Sequence, residues 1–179
     1  MAERPSVEAI LGRHPFRDYG WLDPGQIIVS QWVRMKCQFG CPHFGKAACC
    51  PPNTPSVEEC RRFFTEYRHA LLFHFETAAP ETHARHAWSA QTNRALVALE
   101  REIFLAGFPK AFALFTDACH LCEDCVPLRA ECREPTLARP SATSMAIDVF
   151  GTARNQGRAI KVLTEPSAPV DYFAFLMVE

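Results

Sequence analysis

The apolar positions at the start of the chain predict one short helix and one strand. Ser6 is placed to cap a helix that ends at Leu11, because Gly12 follows it. Residues 26–33 are rich in β-branched and aromatic side chains, which is typical of a strand. This strand would lead directly to Cys37.

The middle of the chain has the clearest periodicity. Ser56 and Glu59 have the spacing of a capping box and predict the start of a helix. Its apolar face comprises Cys60, Phe63, Phe64 and Tyr67. A strand over 69–77 and a long helix over about 81–106 follow, and the helix stops at the Gly107-Phe108-Pro109 sequence. The apolar stripe of the long helix comprises Leu96, Leu99, Ile103 and Ala106.

Three further elements complete the pattern. Residues 111–116 predict a short buried strand that ends shortly before Cys119. Residues 141–155 predict a helix, and residues 170–178 predict a final strand. The order of elements predicts an α/β (α+β) fold. We expect one compact domain over residues 1–179, with a mixed sheet, helices packed on it and two cysteine-rich loops that follow strands.

Composition and charge narrow the classes of function. Apolar residues make up 48% of the chain and charged residues 22%, and the formal net charge is -1. Without a polybasic run, nucleic acid and anionic membranes are poor partners. No apolar stretch approaches the roughly 20 residues that span a bilayer, and the first residues carry no apolar signal segment. We therefore expect a cytoplasmic protein in a reducing compartment.

Four of the nine cysteines lie in residues 119–135, the late segment. Cys119, Cys122 and Cys125 have Cys-x2-Cys-x2-Cys spacing, and Cys132 follows after six residues. Two intervening residues let neighbouring thiolates curl around one centre. Zinc sites usually separate two Cys-x2-Cys pairs by a longer stretch, so the spacing favours a [4Fe-4S] cluster and leaves zinc as the alternative.

A second concentration lies in residues 37–52, the early segment. Cys37, Cys41 and Cys50 form a Cys-x3-Cys-x8-Cys pattern that predicts a second cluster or metal. Cys49 is adjacent to Cys50, so their side chains should diverge and only one should bind a given metal. The rigid prolines after Cys50 favour Cys50 as that ligand. Three thiolates on a four-iron cluster leave one iron open for Lewis-acid chemistry. The alternatives are a site closed by Cys49 or His43, and one site shared by both segments.

The arginines after Cys132 are candidate cofactor-binding residues. Arg133 and Arg139 would stabilise an anionic cluster, clamp an anionic substrate, or pair with Glu131 or Glu134 on the surface. Three other groups of residues fit a structural role better. We expect Cys60 to be a buried, unreactive thiol. Asp148 should be a carboxylate on the surface or in a hydrogen bond, and Trp32 and Trp88 should belong to the core. His43 and His120 fit hydrogen bonding to the ligands better than ligation.

Several short motifs together resemble a prokaryotic family of predicted metal-binding proteins, domain of unknown function 2284. They are Cys50-Pro51-Pro52, the Cys119–Cys125 spacing, Cys132-Arg133-Glu134-Pro135, Arg139-Pro140-Ser141 and Ile147-Asp148-Val149. The resemblance extends from about Cys37 to the end of the chain. It implies metal binding and supports Cys50 over Cys49 as the early ligand. The family commonly has glycine where this chain has Ala146.

The patterns support three hypotheses about function. The first is an iron–sulfur protein that serves electron transfer or redox support, with a redox protein or a small molecule as partner. The second is an enzyme that uses the open iron for desulfuration, dehydration or related Lewis-acid chemistry. The third is a structural zinc-binding interaction module.

Overall fold

The computed structural model describes residues 3–77, 81–165 and 168–179. In chain order, its helices and strands are α1 Glu3–Leu11, β1 Tyr19–Leu22, α2 Gln31–Gly40, α3 Val57–Thr65, β2 Ala70–Thr77, α4 Thr82–Leu105, β3 Phe112–Leu114, α5 Val149–Asn155 and β4 Val170–Met177. Short 3-10 turns occupy Pro24–Gln26, Arg129–Glu131 and Thr143–Met145. None of the helices in these ranges has the length and apolar character that a membrane span requires.

The strands form one sheet in the order β1-β2-β4-β3. Its longest pairing joins β2 to β4, from Ala70 opposite Met177 to Thr77 opposite Val170. The predicted α+β class is confirmed. The sheet is antiparallel at each pair of these strands rather than mixed, because β4 enters between β2 and β3 and runs opposite to both.

Both faces of the sheet are buried under helices. On one face, Leu71 and Phe73 belong to a core that also contains residues of α1 and α4. On the other face, Leu72 and Phe175 pack with residues of α3 and α5. Successive side chains of a strand point to opposite faces, so the central strands supply apolar groups to two layers of helices.

The predicted strand over 26–33 is wrong. Only Val29 of this run forms a bridge, with Ile147, and α2 begins after Ser30. Arg34 of α2 donates to the carbonyls of Pro55 at 2.9 Å and Ser144 at 3.0 Å. These tertiary contacts outweigh the β propensity of the run. Trp32 is consequently 47% exposed rather than part of the core.

The predicted helix over 141–155 is interrupted. Ala146 has φ 60, in the left-handed region, and ends the turn Thr143–Met145. Ile147 then pairs with Val29, and α5 starts only at Val149. This backbone conformation is unfavourable for alanine and explains why glycine is common at this position in the family that the sequence resembles.

The other predicted helices and strands are present. Helix α3 has both halves of the Ser56–Glu59 capping box, and Cys60 and Phe64 on its apolar face are buried. The long helix is α4, in which every residue of the predicted stripe except the exposed Ala106 is buried. Helix α1 starts before Ser6, which therefore lies inside the helix rather than at its cap.

Candidate metal centre

Buried polar groups of α4 fix the start of the late segment. Asn93 is fully buried, and its amide nitrogen donates to the carbonyls of Ala118 at 3.3 Å and Cys119 at 3.2 Å. Its amide oxygen accepts from the Thr116 backbone at 3.4 Å and hydroxyl at 3.2 Å. Arg94 donates to the carbonyl of Leu121 at 3.1 Å. The backbone that carries Cys119 is therefore held against a rigid helix.

The early segment starts within a helix. Cys37 lies in α2, Cys41 is the residue that follows it, and the chain then turns irregularly until α3. Asn53 joins this turn to the late segment, because its amide nitrogen donates to the carbonyls of Ala47 at 3.2 Å and Pro127 at 2.7 Å. The fold thus brings together two cysteine-rich segments that are far apart in sequence.

Five thiols surround a cavity of about 30 Å³, called here the late-segment cavity. They are Cys49, Cys119, Cys122, Cys125 and Cys132. Four of these are the predicted ligands of the late segment, and the fifth, Cys49, comes from the early segment and is 7% exposed. Arg133 and His120 also line the cavity. Soft thiolate donors select zinc, copper(I) and iron–sulfur clusters, so the donor set fits the predicted group.

The hydrogen bond between Cys49 and Cys119 dominates the electrostatics of this cavity. This bond raises the pKa of Cys49 and lowers the pKa of Cys119. Burial favours a higher pKa for both thiols, but the pKa of Cys119 remains below its usual value. The backbone N–H groups of Leu121 and Arg139 lower the pKa of Cys119 further by donating to its sulfur. Burial and the neighbouring thiols raise the pKa of Cys122. Crowded thiolates repel one another, and a cation among them would relieve that repulsion.

The other early-segment thiols form a second group beside the turn Thr143–Met145. Cys37 Sγ lies 4.0 Å from the Thr143 carbonyl oxygen, and the Ser144 hydroxyl lies 3.9 Å from Cys50 Sγ. Burial raises the pKa of Cys50 to about 11, and Cys41, Cys37 and Cys125 contribute to the rise through their charges. The three predicted early ligands are therefore neighbours, and Cys125 lies close enough to influence Cys50.

The adjacent residues Cys49 and Cys50 face different thiol groups. Cys49 lines the late-segment cavity, whereas Cys50 couples to Cys41 and Cys37. The sequence indicated the divergence but not the destination of Cys49. The one feature of the sequence that points to Cys49 is its position next to Cys50, which was already assigned to the early group.

All nine cysteines lie in the described part of the chain and are free thiols. Within that part, no group of three or more His, Cys, Asp or Glu side chains is already arranged at the spacing that holds a metal ion. The fold thus gathers the sulfur atoms around the cavity without closing them to coordination distances.

The two predicted cofactor-binding arginines differ in their surroundings. Arg133 is exposed and lines the late-segment cavity. The Arg139 guanidinium pairs with Glu100 of α4 through contacts of 3.0 and 2.5 Å, and only its backbone N–H points to Cys119. The ion pair expected with Glu131 or Glu134 is thus formed with Glu100, which sequence spacing alone does not indicate.

The remaining candidates have structural surroundings. Cys60 is fully buried, and Asp148 caps α5 by accepting from the Gly151 N–H at 2.9 Å. The His120 ring stacks on His86 at 4.1 Å between centroids. His43 is exposed, and Trp88 packs against Phe75 and Tyr172.

A groove of about 850 Å³ lies against the second thiol group, called here the α2–α5 groove. It is lined by Trp32, Val33, Lys36, Cys37, Gly40, Cys41, Thr143, Ile147, Val149, Phe150, Arg154 and Val162. Among the described residues, no acidic side chain lines it. Its volume falls in the range of small-molecule sites, and its lining is mainly apolar with two cations.

Comparison with known proteins gives one match. Residues 20–178 match the model of a family described as "Predicted metal-binding protein (DUF2284)". That range contains both cysteine-rich segments. No curated protein and no solved structure matches the chain.

Proposed function

The chain belongs to the DUF2284 family of predicted metal-binding proteins, and on this premise we propose that it is an iron–sulfur protein of electron transfer. The observation that carries the proposal is the late-segment cavity, where five thiols from two segments surround one point. Thiolates at Cys-x2-Cys-x2-Cys spacing are typical of cluster ligands. A bound cluster would supply a one-electron redox couple, and the residues around it hold and tune that couple.

The polar groups around Cys119 suit an anionic cluster. Backbone N–H groups of Leu121 and Arg139 point to the Cys119 sulfur, and hydrogen bonds to ligand sulfur stabilise the more reduced state. Arg133 adds a cation at the cavity, whose lining also includes the acidic residues Asp124 and Glu134. Asn93 and Arg94 hold the backbone so that these donors keep their positions.

A second centre on Cys37, Cys41 and Cys50 fits the same role. The three thiols are neighbours, and the peptide bond between Cys49 and Cys50 connects this group to the late-segment cavity. Two centres so close together would pass electrons between them. The partner is then a redox protein that docks at this end of the molecule.

The size of the late-segment cavity favours a specific second candidate, a structural zinc site. A cavity of about 30 Å³ exceeds the roughly 10–15 Å³ that a water-sized particle needs. A single ion fits this space as it stands, whereas a four-iron core requires the exposed stretch of residues 123–125 to move outward. Cys125 and the acidic residues before it are exposed and have room to do so.

The α2–α5 groove favours a third candidate, an enzyme that acts on a small organic anion. Lys36 and Arg154 provide positive charge, Trp32 and Phe150 provide an apolar wall, and Cys37 and Cys41 lie at its edge. A substrate with an acidic group and an apolar body would therefore rest beside the second centre. This candidate requires an exchangeable position on that centre.

Anaerobic purification followed by iron, sulfide and zinc analysis with Mössbauer spectroscopy tests the leading proposal. We expect iron and sulfide in equal amounts and visible absorption that Cys122→Ser lowers by about half, because the second centre remains. The matched control is Cys60→Ser, which changes a buried cysteine outside both groups and should leave the spectrum intact. Full absorption and iron in Cys122→Ser would eliminate this ligand, and colourless protein with stoichiometric zinc would establish the zinc site instead.

Binding of naphthalene-2-carboxylate, with naphthalene-2-methanol as the neutral control, tests the enzyme candidate. We expect the carboxylate to bind several-fold more tightly and to shift the absorption of the iron centre, because the groove carries two cations. Arg154→Met should abolish the preference, while Arg61→Met on the exposed side of α3 should not. Equal affinity for both compounds, or binding without a spectral shift, argues against this candidate.

A further inference from the structure

Cys49 occupies a position that its place in the sequence does not suggest. It belongs to the early segment, but it lines the late-segment cavity and is 7% exposed. Its sulfur is coupled to Cys119 and Cys132, which are two of the predicted late ligands. A buried cysteine beside the four other cysteines of one cavity supplies a further soft donor to a metal held there.

Cys125 shows the reverse relationship. It lines the late-segment cavity but is exposed, and its charge acts on Cys50 of the early segment as well as on Cys122. Asn53 places the two residues near each other, since it bonds to the carbonyls of Ala47 in the early segment and Pro127 in the late segment. One cysteine of each segment therefore lies close to the thiol group of the other.

We propose that the two segments exchange a cysteine, so that eight thiols form two sets of four. The first centre is held by Cys49, Cys119, Cys122 and Cys132. The second centre is held by Cys37, Cys41, Cys50 and Cys125. The inference deepens the proposed function and depends on it, because it assigns the ligands of the same centres.

The exchange has three consequences for the molecule. Each centre is closed by four thiolates, the arrangement of clusters that transfer electrons without binding substrate. The ninth cysteine, Cys60, is left as a buried side chain of the core. Neither segment can hold its centre alone, since each set includes a ligand from the other segment.

The experiment compares single cysteine-to-serine variants after anaerobic reconstitution with iron and sulfide. Cys49→Ser and Cys119→Ser should each lose about half of the iron and retain the same electron paramagnetic resonance signal, that of the second centre. Cys125→Ser and Cys37→Ser should likewise resemble each other and retain the other signal. The control Cys60→Ser should keep both signals, and circular dichroism reports whether each variant folds.

A second measurement needs no variant. In the wild-type chain loaded with cadmium-113, a proton–cadmium correlation spectrum should join the β-protons of Cys49 and Cys119 to one ion and those of Cys125 and Cys50 to the other. Cys49 joined to the ion of Cys50, or Cys49→Ser protein with both signals intact, would overturn the exchange while leaving the metal centres in place. Wild-type protein that takes up neither iron nor cadmium would instead contradict the proposed function itself.

Discussion

The early and late segments reach the same end of the molecule but are held there in different ways. The early segment lies between neighbours in sequence, the last turn of α2 and the capping box of α3. The late segment is held at both ends by α4 residues far before it in sequence. Asn93 bonds to Cys119, 26 positions later, and Glu100 bonds to Arg139, 39 positions later and just after the segment. The local contacts that hold the early segment can be recognised in the sequence, whereas the distant contacts that hold the late segment are revealed only by the fold.

The largest effect should come from breaking the ion pair below the late segment. Glu100 and Arg139 have side chains that are 10% and 17% exposed, and Glu100 also accepts from the Ala113 N–H at 2.7 Å. Glu100→Gln leaves the arginine buried without its counter-charge, which costs about 3–5 kcal/mol of unfolding free energy. Urea denaturation measures this loss.

The matched control for that variant is Glu58→Gln. Glu58 pairs with Arg61 at 3.1 Å on the surface of α3, where its side chain is 84% exposed, so little change is expected. A similar loss in both variants would show that the late segment does not depend on a buried anchor. Metal analysis of Glu100→Gln should also show weaker retention at the late segment than at the early one.

A smaller loss should follow from removing the Asn93 amide. Asn93→Leu leaves the carbonyls of Ala118 and Cys119 without their donor, at a cost of about 1–3 kcal/mol. The exposed Gln91→Leu on the same helix is the matched control and should be close to neutral. Amide hydrogen exchange should rise over residues 116–122 in Asn93→Leu and not in Gln91→Leu. Unchanged exchange there would contradict the claim that α4 holds the start of the late segment.

The early segment should respond more weakly, because its anchor is a helix cap. The Ser56 hydroxyl accepts from the Glu59 N–H at 3.2 Å, and Ser56→Ala removes this contact at a cost of about 1 kcal/mol. Ser56→Asp keeps an acceptor at the cap and should restore stability in urea denaturation. Equal losses in both substitutions would assign the effect to something other than capping.

The smallest effect lies on the inner strand β2, at His74, and depends on pH. Burial opposes charge on His74, but its hydrogen bonds to Asp171 and Asp18, each 2.8 Å, raise its pKa. Burial also opposes charge on Asp18, but bonds from His74 and Arg158 lower its pKa.

The signs of these shifts define the window of stabilisation. The contribution of His74 is fully present below its unfolded pKa of 6.5 and is lost as pH rises through the raised value. The contribution of Asp18 is present above 3.8 and is lost as pH falls through the lowered value. Wild-type stability relative to His74→Gln should therefore decline above pH 6.5. Thermal unfolding across pH measures it, and a constant difference would contradict a charged His74.

The differences between expected and observed elements share one cause. Cys60 and Phe64 follow from the local spacing of α3 and were predicted correctly. The run 26–33 has strong β propensity, but its neighbours in space, Ile147 and Ser144, leave room for only one bridge at Val29 and a helix after it. Pattern describes what a segment prefers, and long-range contacts decide among close preferences.

The candidate site divides along the same line. The predicted late ligands, Cys119, Cys122, Cys125 and Cys132, were grouped by their spacing alone, and all four line the late-segment cavity. Cys49 and Asn93 cannot be identified in this way, since their roles depend on the approach of segments about 70 and 25 residues away. The available clue to Asn93 was its place on the buried face of α4, where Ser89, Asn93 and Glu100 are polar among apolar side chains.

One side-chain amide, that of Asn53, holds a carbonyl from each segment. Its two hydrogen bonds attach the carbonyls of Ala47 and Pro127 to the same side chain. A displacement of either segment is therefore transmitted to the other. Loading or emptying one centre should consequently shift the backbone amide resonances of the other segment, although each centre keeps its own iron.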